Sequence, residues 1–368
     1  MNPMKSKLSL KNLSFVVMPF FFLFVLMTLA NAKSRVGYVL NSDYSSGSTI
    51  STIKYNGKKT KAQVNQDILS ELHSDSIIRK FKNYIFVIAR YQGDNVIVLK
   101  KNDLTNPLKQ YSFTDGTNPQ DMVFKNKKTA YVSGLGSNDI LVINPLTGKV
   151  KKKIDLSDYA DSDGLVEAAS MIKIGKLLFV SLQRLNNLNY FSASNDSMIA
   201  VINIKTNKLV DTITLAGRNP SSMVYCKKNK KIYVSDTGTY DTSDSYGGIE
   251  VINPKTLESE GIIITDDSLG GTPGSIALYS LSKGFIVISD SSMNNYVVSF
   301  NAKKGSAGSQ LSGTSTAYIP KILIDGKFLY VLDRDSNNPG IIVYNVKNNK
   351  KVSGPKSTGQ LAPADLIL

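Results

Sequence analysis

A pair made of an aromatic residue or Ile followed by Val recurs seven times along the chain: Tyr38-Val39, Phe86-Val87, Tyr131-Val132, Phe179-Val180, Tyr233-Val234, Ile286-Val287 and Tyr330-Val331. Consecutive copies stand 48, 45, 48, 54, 53 and 44 residues apart. A period of about 45 residues, filled with short β-branched and aromatic runs between Gly, Asn, Asp and Pro, predicts four-stranded blades stacked radially. The third copy gives the plan most clearly. "DMVF" forms an inner strand, "TAYVS" a second, "DILVIN" a third and "VKKKIDL" an outer strand. The third strand recurs as "NVIVLK", "MIAVINI", "GIEVINP" and "GIIVYNV", and the turn after it as "NPLTGK", "NIKTNK" and "NPKTLE". Such Asn-Pro, Thr-Gly and Thr-Asn pairs supply the dihedral angles of a tight connection.

Proline marks most inner-strand entries: Pro119, Pro220, Pro273 and Pro320. The first residue of a strand can forgo an N–H donor, so proline fits there. The C-terminal "APADLIL" carries the same mark at Pro363 with no further strands behind it, whereas the first copy begins at its second strand, "RVGYVL". The expected fold is therefore all-β: a seven-bladed β-propeller of four-stranded antiparallel blades. Its C-terminal strand joins the N-terminal blade, closing the ring and covering a sheet edge.

Lys5, Lys7 and Lys11 precede an apolar run from Leu13 to Ala30, and Ala30-Asn31-Ala32 gives a small-x-small cleavage pattern. Residues 1–32 are read as a secretory signal peptide and 33–368 as the propeller domain, with a secreted or periplasmic destination. The competing reading is an uncleaved membrane anchor, since the run is 18 residues long. No second run of that length follows, so no transmembrane span is expected after signal removal. Cys226 is the only cysteine, which leaves no internal disulfide. Export without disulfides suits a bacterial protein.

The Tyr-Val pair, the Ser and Gly/Asn turn after it, the "IxVIN" strand and the "TGK" turn together resemble the YVTN-type repeats of secreted bacterial and archaeal seven-bladed propellers. The resemblance covers residues 36 to 368. It implies export, a propeller and a binding role, with no reaction attached.

Removing the signal takes three lysines and no acid from the 44 basic and 29 acidic residues, leaving 41 against 29, a net charge of +12. In an up-and-down blade, the loops entering strand one and the loops joining strands two and three emerge together. That face collects acids, including Asp236, Asp241, Asp290 and Asp333 at hairpin tips, with few cations, among them Arg90 and Arg184. The opposite face collects "FKNKK", "GKVKKK", "CKKNKK" and "VKNNKK". These clusters lack interleaved aromatics that could stack on bases, so nucleic acid is not expected as a partner. A solvated lysine face is the simpler reading, and weak contact with an anionic lipid or polymer surface is the alternative.

Two insertions, residues 181–198 and 235–248, lengthen neighbouring blades on the acidic face. Tyr190, Phe191, Tyr240 and Tyr246 give them flat apolar area beside polar groups, which suits an unidentified ligand or protein partner. The alternative is a loop cover packing its own aromatics. In "DSDGLVE", Asp161, Asp163 and Glu167 offer three oxygen ligands of the kind that calcium or another divalent cation takes. Against this stands an ordinary Asp-Gly turn, and the spacing is too short for an EF-hand loop.

Catalytic signatures are sparse. His73 is the sole histidine, there is no Trp, and no Cys-x-x-Cys-His occurs. These counts argue against multi-histidine metal sites and covalent haem. An exported binding or interaction module for a small molecule, glycan or protein is the leading expectation. The alternative is a metal-dependent hydrolase, lactonase or lyase using carboxylates on the same face.

Overall fold

Strands two and three of each blade lie between paired neighbours, with another blade packed on each side, so their sequences are nearly unbroken apolar runs. The second strands Tyr84–Ala89, Thr129–Gly134, Lys231–Asp236 and Phe328–Asp333 are buried from their second residue onward. The outer strand Val150–Asp155 is mostly exposed and carries three lysines. The computed structural model describes residues 35–56, 59–190, 192–193, 195–239, 246–314 and 318–368. Seven four-stranded sheets form the ring, and six of them take their strands consecutively from the chain.

The remaining sheet closes the ring. Its inner strand is the C-terminal Pro363–Ile367, antiparallel to Arg35–Ser42, with Leu366 opposite Val39 and Asp365 opposite Leu40. The guanidinium of Arg334 fastens both segments, donating to the carbonyls of Ser42 at 2.8 Å and Ala362 at 3.0 Å. Asn41, fully buried, holds the chain leading to the final strand: its amide donates to the Thr358 carbonyl at 3.2 Å, and its oxygen accepts from the Thr358 hydroxyl at 2.6 Å.

Among the described residues the core is divided into seven apolar clusters, each shared by two adjacent blades. One of them joins the last blade to the first through Tyr330, Leu332, Ile341, Val39 and Leu366. The register revises the repeat at one point. Ile276 pairs with Ile286 as Met122 pairs with Val132, so Phe285-Ile286 occupies the conserved place in the blade and Ile286-Val287 is one residue out of phase. Two adjacent β-branched residues make these frames indistinguishable in sequence. Pro119, Pro220 and Pro363 open their inner strands, whereas Pro320 precedes the strand Ile322–Asp325 by two residues.

Among the described residues no helix is long and apolar enough to cross a membrane. The segment read as a signal peptide, residues 1–32, lies outside the described residues.

Candidate functional site: the central funnel

Pairing with the second strand fixes one equivalent position in every inner strand. Leu366, Ile78, Met122, Met171, Met223, Ile276 and Ile322 all stand there, opposite Val39, Val87, Val132, Val180, Val234, Ile286 and Val331. Side chains alternate across a strand, so the preceding residue turns towards the ring axis. These residues are Asp365, Ile77, Asp121, Ser170, Ser222, Ser275 and Lys321, from blades one to seven, and all seven line one cavity of about 670 Å3. Hairpin-tip residues Tyr44, Arg90, Gln183, Thr237 and Asp290 line it too, so it opens on the face where those tips emerge.

Apart from the apolar Ile77, the seven positions divide into a charged arc and a hydroxyl arc. In the charged arc, Arg79 reaches from blade two to Asp121 at 2.6 Å and to Asp365 at 3.2 Å, and Lys321 donates to the other oxygen of Asp365. The carboxylates also hold backbone across blade boundaries: Asp365 accepts from the Ile78 amide at 2.9 Å and Asp121 from the Met171 amide at 3.0 Å. Burial opposes the charge of Asp365, yet Lys321 and Arg79 hold its carboxyl below the usual range. The hydroxyl arc comprises Ser170, Ser222 and Ser275 on blades four to six. Ser275 accepts from the Ile322 amide at 3.1 Å, while the hydroxyls of Ser170 and Ser222 have no hydrogen-bond partner among the described residues.

Of the residues expected from sequence, Arg90 and Asp290 line the funnel. Arg90 is tied to Asp75 at 2.9 Å and to Gln120 at 3.2 Å. Asp290 caps its own turn, accepting from the amides of Ser292 and Asn294, each at 2.9 Å. Asp333 is buried and accepts from the Asp335 amide. Phe191, Tyr240 and Asp241 lie outside the described residues.

Asp236 is expected at a loop tip, but the structure ends its strand there and buries it completely, because second strands are covered on both faces. Neither of its oxygens meets a donor among the described residues. Burial, then the charge of Glu250 and a hydrogen bond to it, raises its pKa well above the usual carboxyl value. Glu250 is also fully buried, and it accepts from the amides of Ala216 at 3.1 Å and Gly217 at 2.8 Å and from the Ser259 hydroxyl. Burial beside the Glu250 carboxylate therefore favours the neutral form of Asp236. Gly217 permits the approach, since a Cβ there would lie 2.4 Å from an Asp236 oxygen.

The two insertions meet through Arg218, which the sequence did not single out as a site residue. It donates to the Ala193 carbonyl at 2.9 Å, lies 3.6 Å from Asp196, and stacks 4.3 Å above the Tyr246 ring. Arg184 donates to the Asp196 carbonyl at 2.7 Å, while Tyr190 projects into solvent with 93% of its surface exposed. Gln183 and Thr237, at the roots of the insertions, belong to the funnel wall.

Asp161, Asp163 and Glu167 do come together, around the first insertion. Asp163 accepts from the Asn187 amide at 2.8 Å, and Glu167 accepts from the Leu185 amide and the Asn187 side chain, both at 3.1 Å. Asp161 accepts from the Asn195 side chain, and its second oxygen is buried without a partner among the described residues. Burial, then repulsion from Asp163, pushes the Glu167 carboxyl up to about 8. In this arrangement the acids clasp the insertion to the entry loop. Among the described residues no three acidic, His or Cys side chains stand close enough together to hold a metal ion.

No family profile matches the chain, and no curated protein matches it. Solved structures do. A provisionally named 6-phosphogluconolactonase of Bacteroides fragilis is similar with a TM-score of 0.68 at 14% identity, over 92% of this chain and 98% of that one. A provisional 6-phosphogluconolactonase of Bacteroides uniformis gives 0.66 at 12% identity, over 91% and 99%. AztD of Citrobacter koseri gives 0.51 at 12%, over 90% and 97%. At these identities the likeness establishes the propeller fold and nothing finer.

Proposed function

We propose that the protein is an exported binding module that takes a small polar ligand in its central funnel, with the insertions of blades four and five as an adjoining wall. The observation that carries this reading is that every blade contributes to one concave cavity of about 670 Å3, whose wall is polar and apolar in about equal measure. Ligand sites of small molecules are concave, few per protein and of this order of size. Hydrolysis, including the lactone hydrolysis suggested by the names of two structural neighbours, is the weaker reading. It needs a carboxylate able to activate water; Asp121 and Asp365 are each committed to Arg79 and to backbone amides, and Asp290 accepts from the amides of its own turn.

A thermal-shift screen of metabolites against the mature protein, repeated on Ser222→Trp, tests the proposal. A stabilising compound whose effect disappears in Ser222→Trp, with the unliganded melting temperature little changed, is expected. A compound that stabilises both proteins equally would place binding elsewhere.

A further inference from the structure

Given that reading, the division of the funnel into two arcs narrows the chemistry of its ligand. Every cation that lines the cavity already faces a carboxylate: Arg79 faces Asp121 and Asp365, Lys321 faces Asp365, and Arg90 faces Asp75. An anionic ligand would have to break one of these pairs and leave a partly buried carboxylate without its partner, which costs far more than a surface contact returns. Of the carboxylates in the wall, Asp121 and Asp365 are held by these cations, and Asp290 by the amides of its own turn.

The hydroxyl arc is open. Among the described residues the Ser170 and Ser222 hydroxyls have no partner, and the Ser275 proton is not used by the hydrogen bond its oxygen accepts from the Ile322 amide. A serine hydroxyl both donates and accepts, as do amide side chains such as Gln183 in the same wall. Groups that donate and accept at once are matched by ligand hydroxyls, which do the same. Across the funnel stands Tyr44, 38% exposed, whose ring is held edge-on to Tyr318 at 6.1 Å and covered by Arg334 at 4.5 Å. A fixed aromatic ring opposite an arc of hydroxyls offers apolar area to a sugar ring while its hydroxyls face the serines.

We infer that the funnel binds a neutral polyhydroxyl compound, a short saccharide, with its hydroxyl groups on the Ser170–Ser222–Ser275 arc. The inference rests on the funnel being the binding site, and its test separates the two claims. The mature protein is applied to an array of neutral mono-, di- and trisaccharides beside sugar phosphates and sulfated or sialylated glycans. Binders are then titrated calorimetrically against the wild type, Ser170→Ala, Ser222→Ala and Ser222→Trp. Because neither the Ser170 nor the Ser222 hydroxyl has a partner among the described residues, the alanine variants are expected to fold normally. The expected result is binding of a neutral saccharide, weakened about threefold to tenfold by each alanine and lost in Ser222→Trp. Binding confined to the charged glycans, or neutral-sugar binding unmoved by both alanines, overturns the saccharide assignment. If no sugar binds while a non-sugar compound is excluded by Ser222→Trp, the saccharide inference fails and the funnel reading survives. Sugar binding that persists in Ser222→Trp overturns both.

Discussion

Replacing Asp236 by Asn separates the two roles of a buried carboxyl group. In the folded protein Asp236 sits fully buried against Glu250, and burial raises its pKa above the 3.8 of an exposed group. Between those two values the folded state binds one proton more than the unfolded state. Stability from this group is therefore fully present below pH 3.8 and falls as pH rises towards the folded pKa, by about 1.4 kcal/mol per pH unit within that window. Asn keeps the shape and, like the protonated acid, carries a donor and no charge beside Glu250, but it does not titrate. Asp236→Asn should accordingly match the wild type within about 1 kcal/mol near pH 4. It should then become the more stable protein by a margin that widens by about 1.4 kcal/mol for each pH unit of the window. Asp236→Ala, which removes the donor altogether, should lose about 1–3 kcal/mol near pH 4. Urea unfolding of all three proteins at half-unit steps from pH 4 to 8 reads these differences. Parallel stability curves for the wild type and Asp236→Asn would refute the neutral carboxyl.

Deleting residues 362–368 removes Leu366 from the core between the last and first blades and strips Arg79 and Lys321 of Asp365. Burying one Leu contributes about 2 kcal/mol, and the partly exposed Arg79 and Lys321 lose a shared carboxylate, so the shortened chain should aggregate or melt below the parent in a thermal scan. Unchanged melting and solubility would contradict ring closure. Glu167, pushed up to about 8 from 4.5, favours the folded clasp at low pH and loses that contribution as pH rises between the two values. Hydrogen exchange at Leu185 and Asn187, corrected for intrinsic rates, should become less protected from pH 5 to 8 in the wild type and change little in Glu167→Gln. Equal trends in both would remove Glu167 as the cause.

The fold is legible in the sequence because a propeller buries its second and third strands on both sides, which forces an apolar run into every repeat. The closing strand is legible for a related reason: "APADLIL" begins like an inner strand, and the first repeat lacks one. The site is less legible. Loop length draws attention to the insertions, yet Tyr190 points into solvent and Asp236 belongs to a covered strand. The funnel residues carried a signal of their own, the second residue after a strand-opening proline: Asp121 after Pro119, Ser222 after Pro220, Ser275 after Pro273 and Asp365 after Pro363. Blades two and four lack that proline, and in blade seven it shifts by one residue, so Ile77, Ser170 and Lys321 fall into the ring only once strand pairing fixes their register. Arg218 is a different case. Its role depends on two insertions meeting, and spacing within one chain does not encode that meeting.

The most direct measurement is a crystal structure of residues 33–368 with the tightest-binding compound from the screens. The account predicts density for that compound inside the ring of inner strands, touching Ser170 and Ser222, with the Arg79, Asp121, Asp365 and Lys321 pairs intact. Density on the lysine-rich face or on the outer surface of the insertions, with the funnel holding only solvent, would contradict it.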